Sequence, residues 1–182
     1  MRLALQLHPG SSCAAVTGIA VEVQRTGHPN RLTLVYTAVG TTTDLRLPPV
    51  KESRRADELW QTTCFEAFVK SPADDAYYEF NFSPSTEWAA YRFTGYRSGM
   101  SVAADIAPRI ETARGKARIE LRASIDLGRV MPSDAPWRLG LSAVIEEVSG
   151  RKSYWALAHP PGRPDFHHAD CFALELAGAS SP

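Results

Sequence analysis

Polar and apolar residues alternate along most of this chain with a period of two. The clearest run is Arg118-Ile119-Glu120-Leu121-Arg122-Ala123-Ser124-Ile125, and Arg31-Leu32-Thr33-Leu34-Val35-Tyr36-Thr37 is nearly as regular. Successive side chains on a strand point to opposite faces, so this period predicts half-buried β-strands. Applied along the chain, it predicts strands at Leu3–Leu7, Thr17–Arg25, Arg31–Val39, Leu59–Lys70, Tyr77–Phe82, Trp88–Phe93, Ala117–Asp126, Trp137–Val148, Lys152–Leu157 and Cys171–Ala177. Turn residues separate these runs at Gly27-His28-Pro29-Asn30, Pro72-Ala73-Asp74-Asp75 and Ser149-Gly150-Arg151, the last closing a hairpin. Helical signals are confined to a short segment at Lys51–Leu59 and one turn at Asp126–Met131. The tail Gly178-Ala179-Ser180-Ser181-Pro182 is expected to fray. About ten short strands predict an all-β chain, an antiparallel β-sandwich of jelly-roll or immunoglobulin-like layering with little helix. Residues 1–182 are read as a single domain.

Between Trp60 and Arg97 the pattern carries charges inside aromatic strands rather than around them. Trp60, Thr62, Cys64, Glu66 and Phe68 share one parity, so a regular strand would show Trp60 and Glu66 on one face. Tyr77, Glu79, Asn81 and Ser83 share a parity on the next strand, opposite to Tyr78, Phe80 and Phe82. An aromatic plate beside hydrogen-bond acceptors on a rigid sheet suits a small polar ligand.

Composition narrows the classes. Lys+Arg and Asp+Glu both number 20, so the net charge is zero, which argues against a nucleic-acid or anionic-membrane surface. The three cysteines, Cys13, Cys64 and Cys171, are too few and too widely spaced for a disulfide framework or a zinc site. The N-terminal Leu3, Leu5 and Leu7 alternate like a strand, not like the apolar region of a signal peptide. A cytoplasmic location is therefore expected, and oligomeric state is left open.

Three motifs, in order, resemble a known family. Trp60-x-x-Thr63-x-Phe65-Glu66-x-Phe68 resembles the W-x-x-D-x-[VF]-E-x-[FY] strand of carbohydrate-binding module family 9 and its DOMON-like relatives. Tyr77-Tyr78-Glu79-Phe80-Asn81-Phe82-Ser83-Pro84 and Trp88-Ala89-Ala90-Tyr91 are similar to the next two strands. Phe166-His167-His168-Ala169-Asp170-Cys171-Phe172 is similar to the closing F-H-x-P-E-x-F-G motif. The family Asp is Thr63 here, the Pro is Ala169 and the Glu is Asp170; Thr63 bears on a supporting hydrogen bond rather than on the fold.

The resemblance implies a non-catalytic domain that binds a small saccharide. Carried over, Trp60 matches the first of two clamping Trp rings and Glu66 the Glu on its strand. Arg92 falls near the Arg that bonds hydroxyls, with Glu79 and Asn81 adjacent, and Trp155 is preferred to Trp88 as the second ring. The plain alternative is a structural network of Glu66 and Glu79 with Arg92 and Arg97 over core tryptophans.

The resemblance also admits haem b, with Met100 and either His167 or His168 as axial ligands. No other cofactor is expected. The adjacent His167 and His168 point opposite ways in extended chain, which disfavours a shared metal ion. A partner-binding sandwich without a small ligand is a third reading. No nucleophile elbow, zinc-protease or phosphate-loop motif is present; Glu66 and Glu79, on neighbouring strands, could in principle form an acid/base pair for glycoside hydrolysis, but a non-catalytic binding fold argues against it and no enzymatic activity is expected.

Overall fold

The computed structural model describes residues 1–27 and 30–178. The turn residues His28 and Pro29, and the tail beyond Gly178, lie outside the described residues. Twelve strands form in chain order: β1 (Arg2–Leu7), β2 (Val16–Thr26), β3 (Arg31–Gly40), β4 (Cys64–Lys70), β5 (Tyr77–Phe82), β6 (Trp88–Phe93), β7 (Ser101–Val102), β8 (Arg109–Arg114), β9 (Arg118–Asp126), β10 (Trp137–Glu146), β11 (Lys152–Ala156) and β12 (Leu174–Leu176). The described strand pairs are all antiparallel, in the order β7-β6-β5-β4-β10-β11-β1-β2-β3-β9-β8, with β12 added beside β10. This confirms the expected all-β architecture.

One strand turns the sheet back on itself. The first part of β1, Arg2–Leu5, pairs with β2, while Gln6 and Leu7 pair with Ala156 and Trp155 of β11. The curled sheet thereby presents two layers. Their inner faces supply Val21, Leu34, Tyr36, Leu121 and Ile119 from one side and Phe65, Ala67, Phe80, Leu141 and Ile145 from the other. The phenol of Tyr36 crosses between layers, donating to the Glu66 carbonyl at 2.8 Å while its ring leans on Phe65. Burial of these aliphatic and aromatic faces is the main term holding the layers together.

Some elements differ from the sequence expectation. The strand predicted from Leu59 begins only at Cys64; Leu59–Gln61, which includes Trp60, forms a 3-10 turn entered through Glu58 at φ 59°. The helix expected at Lys51–Leu59 does not form. That segment is an extended strap whose backbone groups are engaged by β6 and the turn before it: Lys51 N donates to Ser85 O, Trp88 N to Arg54 O, and Ala56 N to Trp88 O. Tertiary pairing overrides a weak local helical preference here.

The strand expected at Cys171–Ala177 splits into a 3-10 turn, Ala169–Cys171, and β12. β7 and β8 were not expected. They are edge strands whose mostly exposed residues carry little apolar alternation. The turn at Asp126–Met131 forms through Val130 N and Met131 N, both donating to Leu127 O. The hairpin at Ser149–Arg151 forms with Gly150 at φ 84°, a conformation that favours glycine. Among the described residues no helix is long and apolar enough to cross a membrane.

Candidate functional site

The outward face of the layer built from β4, β5, β6, β10 and β11 is not a solvated polar face. Strand alternation sends Phe65, Ala67, Phe80, Phe82 and Ala90 into the core between layers, and sends Phe68, Tyr77, Ala89, Tyr91, Phe93 and Val144 outward. The outward residues gather Phe166 and Phe172 from the loop after β11 into a second apolar cluster. Between that loop, the strap and the sheet lies an open cleft of about 920 Å³, large enough for a small ligand.

Three of the residues singled out in the sequence for saccharide binding meet in this cleft. Trp60 stands at its edge, 53% exposed, and Glu66 and Glu79 lie in its floor at 3% and 6% exposure. The strap delivers Trp60: Glu87, held by Lys51 at 3.0 Å and Arg54 at 3.0 Å, fixes one end. Arg55 and Tyr91 both hold Asp57 at the other, at 2.6 Å each. Trp60 and Glu66 thus share a site, although not through one regular strand as parity suggested.

The other candidates for saccharide binding fall elsewhere. Asn81 is fully buried beneath the floor and donates its amide to Glu79 Oε1 at 2.7 Å, so it positions a carboxyl rather than lining the cleft. Arg92 has the opposite parity to Tyr91 and Phe93 and is exposed away from the cleft; Arg97, in the following turn, lines it instead. Trp155 is 5% exposed in the core between layers, with its indole N–H donated to Ser153 Oγ at 3.1 Å. Its neighbour Tyr154 faces the cleft. Trp88 also packs on the core. Tyr91, Tyr154 and Arg97 were missed, although strict alternation from Tyr77, Phe93 and Glu79 would have selected Tyr91.

The departures in the motifs are accommodated. Buried Thr63 donates its hydroxyl to Arg46 O at 3.1 Å and accepts from Glu146 N at 3.0 Å, so the supporting bonds at that position are made. The residues 166–172 segment folds over the floor and is clamped by Asp165. That carboxylate accepts from Arg97 Nη2 at 2.7 Å, Arg97 Nε at 3.2 Å, Tyr96 Oη at 2.5 Å and the amide of His167 at 3.1 Å.

His167 reaches the floor from this loop. Its Nδ1 lies 2.7 Å from Tyr77 Oη, and its Nε2 lies 3.8 Å from Glu79 Oε2. Tyr77 Oη also accepts from the Arg97 amide at 3.3 Å, so its own proton is free to go to Nδ1, leaving the hydrogen on Nε2 towards Glu79. Burial and the nearby Arg97 push the His167 pKa down to about 4. The ring is therefore neutral at neutral pH. His168 instead accepts from the Asp170 amide with Nδ1, a local cap, and Met100 is an exposed residue lining the cleft. Among the described residues no group of three or more His, Cys, Asp or Glu is arranged to hold a metal ion.

The two floor carboxyls lie on adjacent strands: Glu66 pairs in register with Asn81, two residues beyond Glu79. Burial, and then the neighbouring Glu79, raise the Glu66 pKa well above the usual carboxylate range, against a weak bond from Ser142 Oγ at 3.4 Å. Burial raises Glu79 too, opposed by its bond from Asn81 and by the charge of Arg97. Two adjacent buried carboxyls resist carrying two charges together. Such a floor offers acceptors and a donor beneath aromatic walls, which suits hydroxyl or ammonium recognition.

No protein-family model matches the chain, and no curated protein is significantly similar to it in sequence. Solved structures do resemble its fold. One is described as a putative carbohydrate-binding protein from Bacteroides uniformis: TM-score 0.65, 14% identity, covering 93% of this chain and 83% of that one. Another is a carbohydrate-binding module of family 9 from Caldicellulosiruptor kristjanssonii in complex with cellotriose: TM-score 0.54, 12% identity, covering 89% of this chain and 74% of that one. At such identities the likeness is one of fold.

Proposed function

We propose that this chain is a non-catalytic binding domain whose cleft holds a small saccharide. The observation that carries the reading is the placement of one half-exposed tryptophan, Trp60, at the edge of a cleft floored by Glu66 and Glu79. A pyranose has an apolar face for an indole and a polar rim for carboxyls. Tyr154, rather than Trp155, and Tyr91 supply further aromatic surface, and Arg97 takes the part expected of Arg92. The fold shared with a family 9 module bound to cellotriose supports the same ligand class.

The test is a thermal-shift titration with mono- and disaccharides. A ligand at about a hundred times its dissociation constant adds about 2.7 kcal/mol of stability, a measurable rise in melting temperature. Trp60→Ala should weaken binding about tenfold or more while changing stability by only about 0.5 kcal/mol, since the ring is half-exposed and outside the core. Unfolding of Trp60→Ala would make the ring structural and overturn the site. Haemin forms a separate arm, because Met100 and His167 line the same cleft; a shift with haemin alone would replace the saccharide reading. His167 already directs both ring nitrogens at protein partners, which favours the saccharide.

A further inference from the structure

The cleft floor has a chemical bias that a neutral sugar uses only in part, because it brings no positive charge. Glu66 is almost wholly buried, lines the cleft, and has no cation within ion-pair distance among the described residues; its side chain meets only the Ser142 hydroxyl, at 3.4 Å. Glu79 meets the Asn81 amide and the imidazole of His167. A buried carboxyl carries its charge readily only beside a cationic partner. Here that place faces open cleft.

The charged groups around the pair do not fill it. Arg97 acts on Glu79 at longer range but gives its guanidinium to Asp165. Arg55 is bound to Asp57, and Lys152 and Arg163 are exposed cleft residues. Tyr77 and Tyr91 present hydroxyls that are already committed to His167 and Asp57. Cys64, also beneath the floor, is held un-ionised by burial.

A second observation points the same way. The walls over the carboxyls are aromatic, with Trp60, Tyr91, Phe93, Tyr154 and Phe166 lining the cleft. Aromatic faces combined with a carboxylate are a general means of holding an organic ammonium, which the ring quadrupoles attract. A neutral sugar can use the stacking face and offer hydroxyls to the carboxyls, but it brings no countercharge for a buried carboxyl pair, whereas an ammonium does.

We propose that the cleft is selective for an amino sugar, a saccharide carrying a free ammonium group seated between Glu66 and Glu79 under the aromatic walls. The inference rests on the saccharide reading above and names its ligand class. The ammonium favours the ionised form of the carboxyls, which burial disfavours, so binding is expected to expel a proton from the pair to solvent. The balance is one ligand cation in and up to one proton out, with no bond to carbon made or broken.

The experiment is isothermal titration calorimetry of the full chain with glucosamine, N-acetylglucosamine and glucose, in buffers of differing ionisation enthalpy. The pH is set below the ammonium's own pKa. Glucosamine should bind about 10- to 100-fold more tightly than either neutral sugar, the gain of charge-assisted bonds. It alone should release protons, seen as a buffer-dependent enthalpy. Glu66→Gln should bring the glucosamine-to-glucose ratio towards one.

Equal affinity for all three sugars, without proton release, would overturn this inference and leave the saccharide reading standing. Tighter binding of N-acetylglucosamine would do the same. Binding of no sugar would overturn both. The comparison on the unaltered protein decides the matter even if Glu66→Gln fails to fold.

Discussion

At the residue scale, parity decides which aromatic side chains are structure and which are surface. Trp155 and Tyr154 are neighbours, yet one is sealed between layers and the other faces the cleft. Trp155→Ala should therefore cost about 3–5 kcal/mol, the price of emptying a core site, and chemical denaturation should show it. Any loss of ligand binding in that variant should follow from the loss of folded protein.

The buried ionisable groups give opposite pH signatures. Glu66 has a raised folded-state pKa, so its contribution is full at low pH and is lost as pH rises from the ordinary carboxyl range through its folded value. His167 has a lowered folded-state pKa, about 4 against an ordinary 6.5, so its contribution is present above the ordinary value and is lost as pH falls towards 4. The ligand-free protein should then lose stability on both flanks. Melting curves across pH should show Glu66→Gln flattening the flank on which stability falls with rising pH above the ordinary carboxyl range, and not the His167 flank. The expectation fails if Glu66→Gln leaves that flank unchanged.

At the scale of elements, the cleft is assembled by two segments without regular structure, the strap before β4 and the loop after β11. Both are held by carboxylates, Glu87 and Asp57 for the strap and Asp165 for the loop. Two cleft residues, Glu58 and Arg97, sit at φ 59° and 50°, conformations that non-glycine residues adopt only where surroundings impose them. Asp165→Ala removes acceptors for Arg97, Tyr96 and the His167 amide at once. Hydrogen exchange should speed up at His167 and its neighbours, and ligand affinity should fall severalfold. The core strands should keep their protection, because their ladder bonds run from strand to strand and none is made by Asp165.

These segments mark the limit of what the chain disclosed on its own. β3 and β9 were legible because each has one face in the core and alternates accordingly. The strap was not, since its backbone pairs with Trp88 and Ser85, more than thirty residues away, and carries no period of its own. β8 was missed because an edge strand with both faces largely wet has no reason to alternate.

At the scale of the whole molecule, a curled antiparallel sheet closes a core and leaves one outward face apolar enough to need covering. The loop at 157–173 covers part of it, and the remainder is the cleft. A ligand there touches strands from the middle of one layer and both irregular segments. Its binding should raise the melting temperature of the whole fold rather than stiffen one loop.

The sequence by itself determined the all-β class, most strand positions and the likeness to family 9 modules, because these follow from alternation and local motif; it also singled out Trp60, Glu66 and Glu79, which line one cleft, although Trp60 reaches it from a 3-10 turn. Only the tertiary structure decided that Trp155 is core, that Arg97 and not Arg92 reaches the cleft, and that Tyr154 and Tyr91 line it. A one-residue step reverses the face a strand residue shows, and irregular segments take their course from distant hydrogen-bond partners, so neither can be read from local pattern.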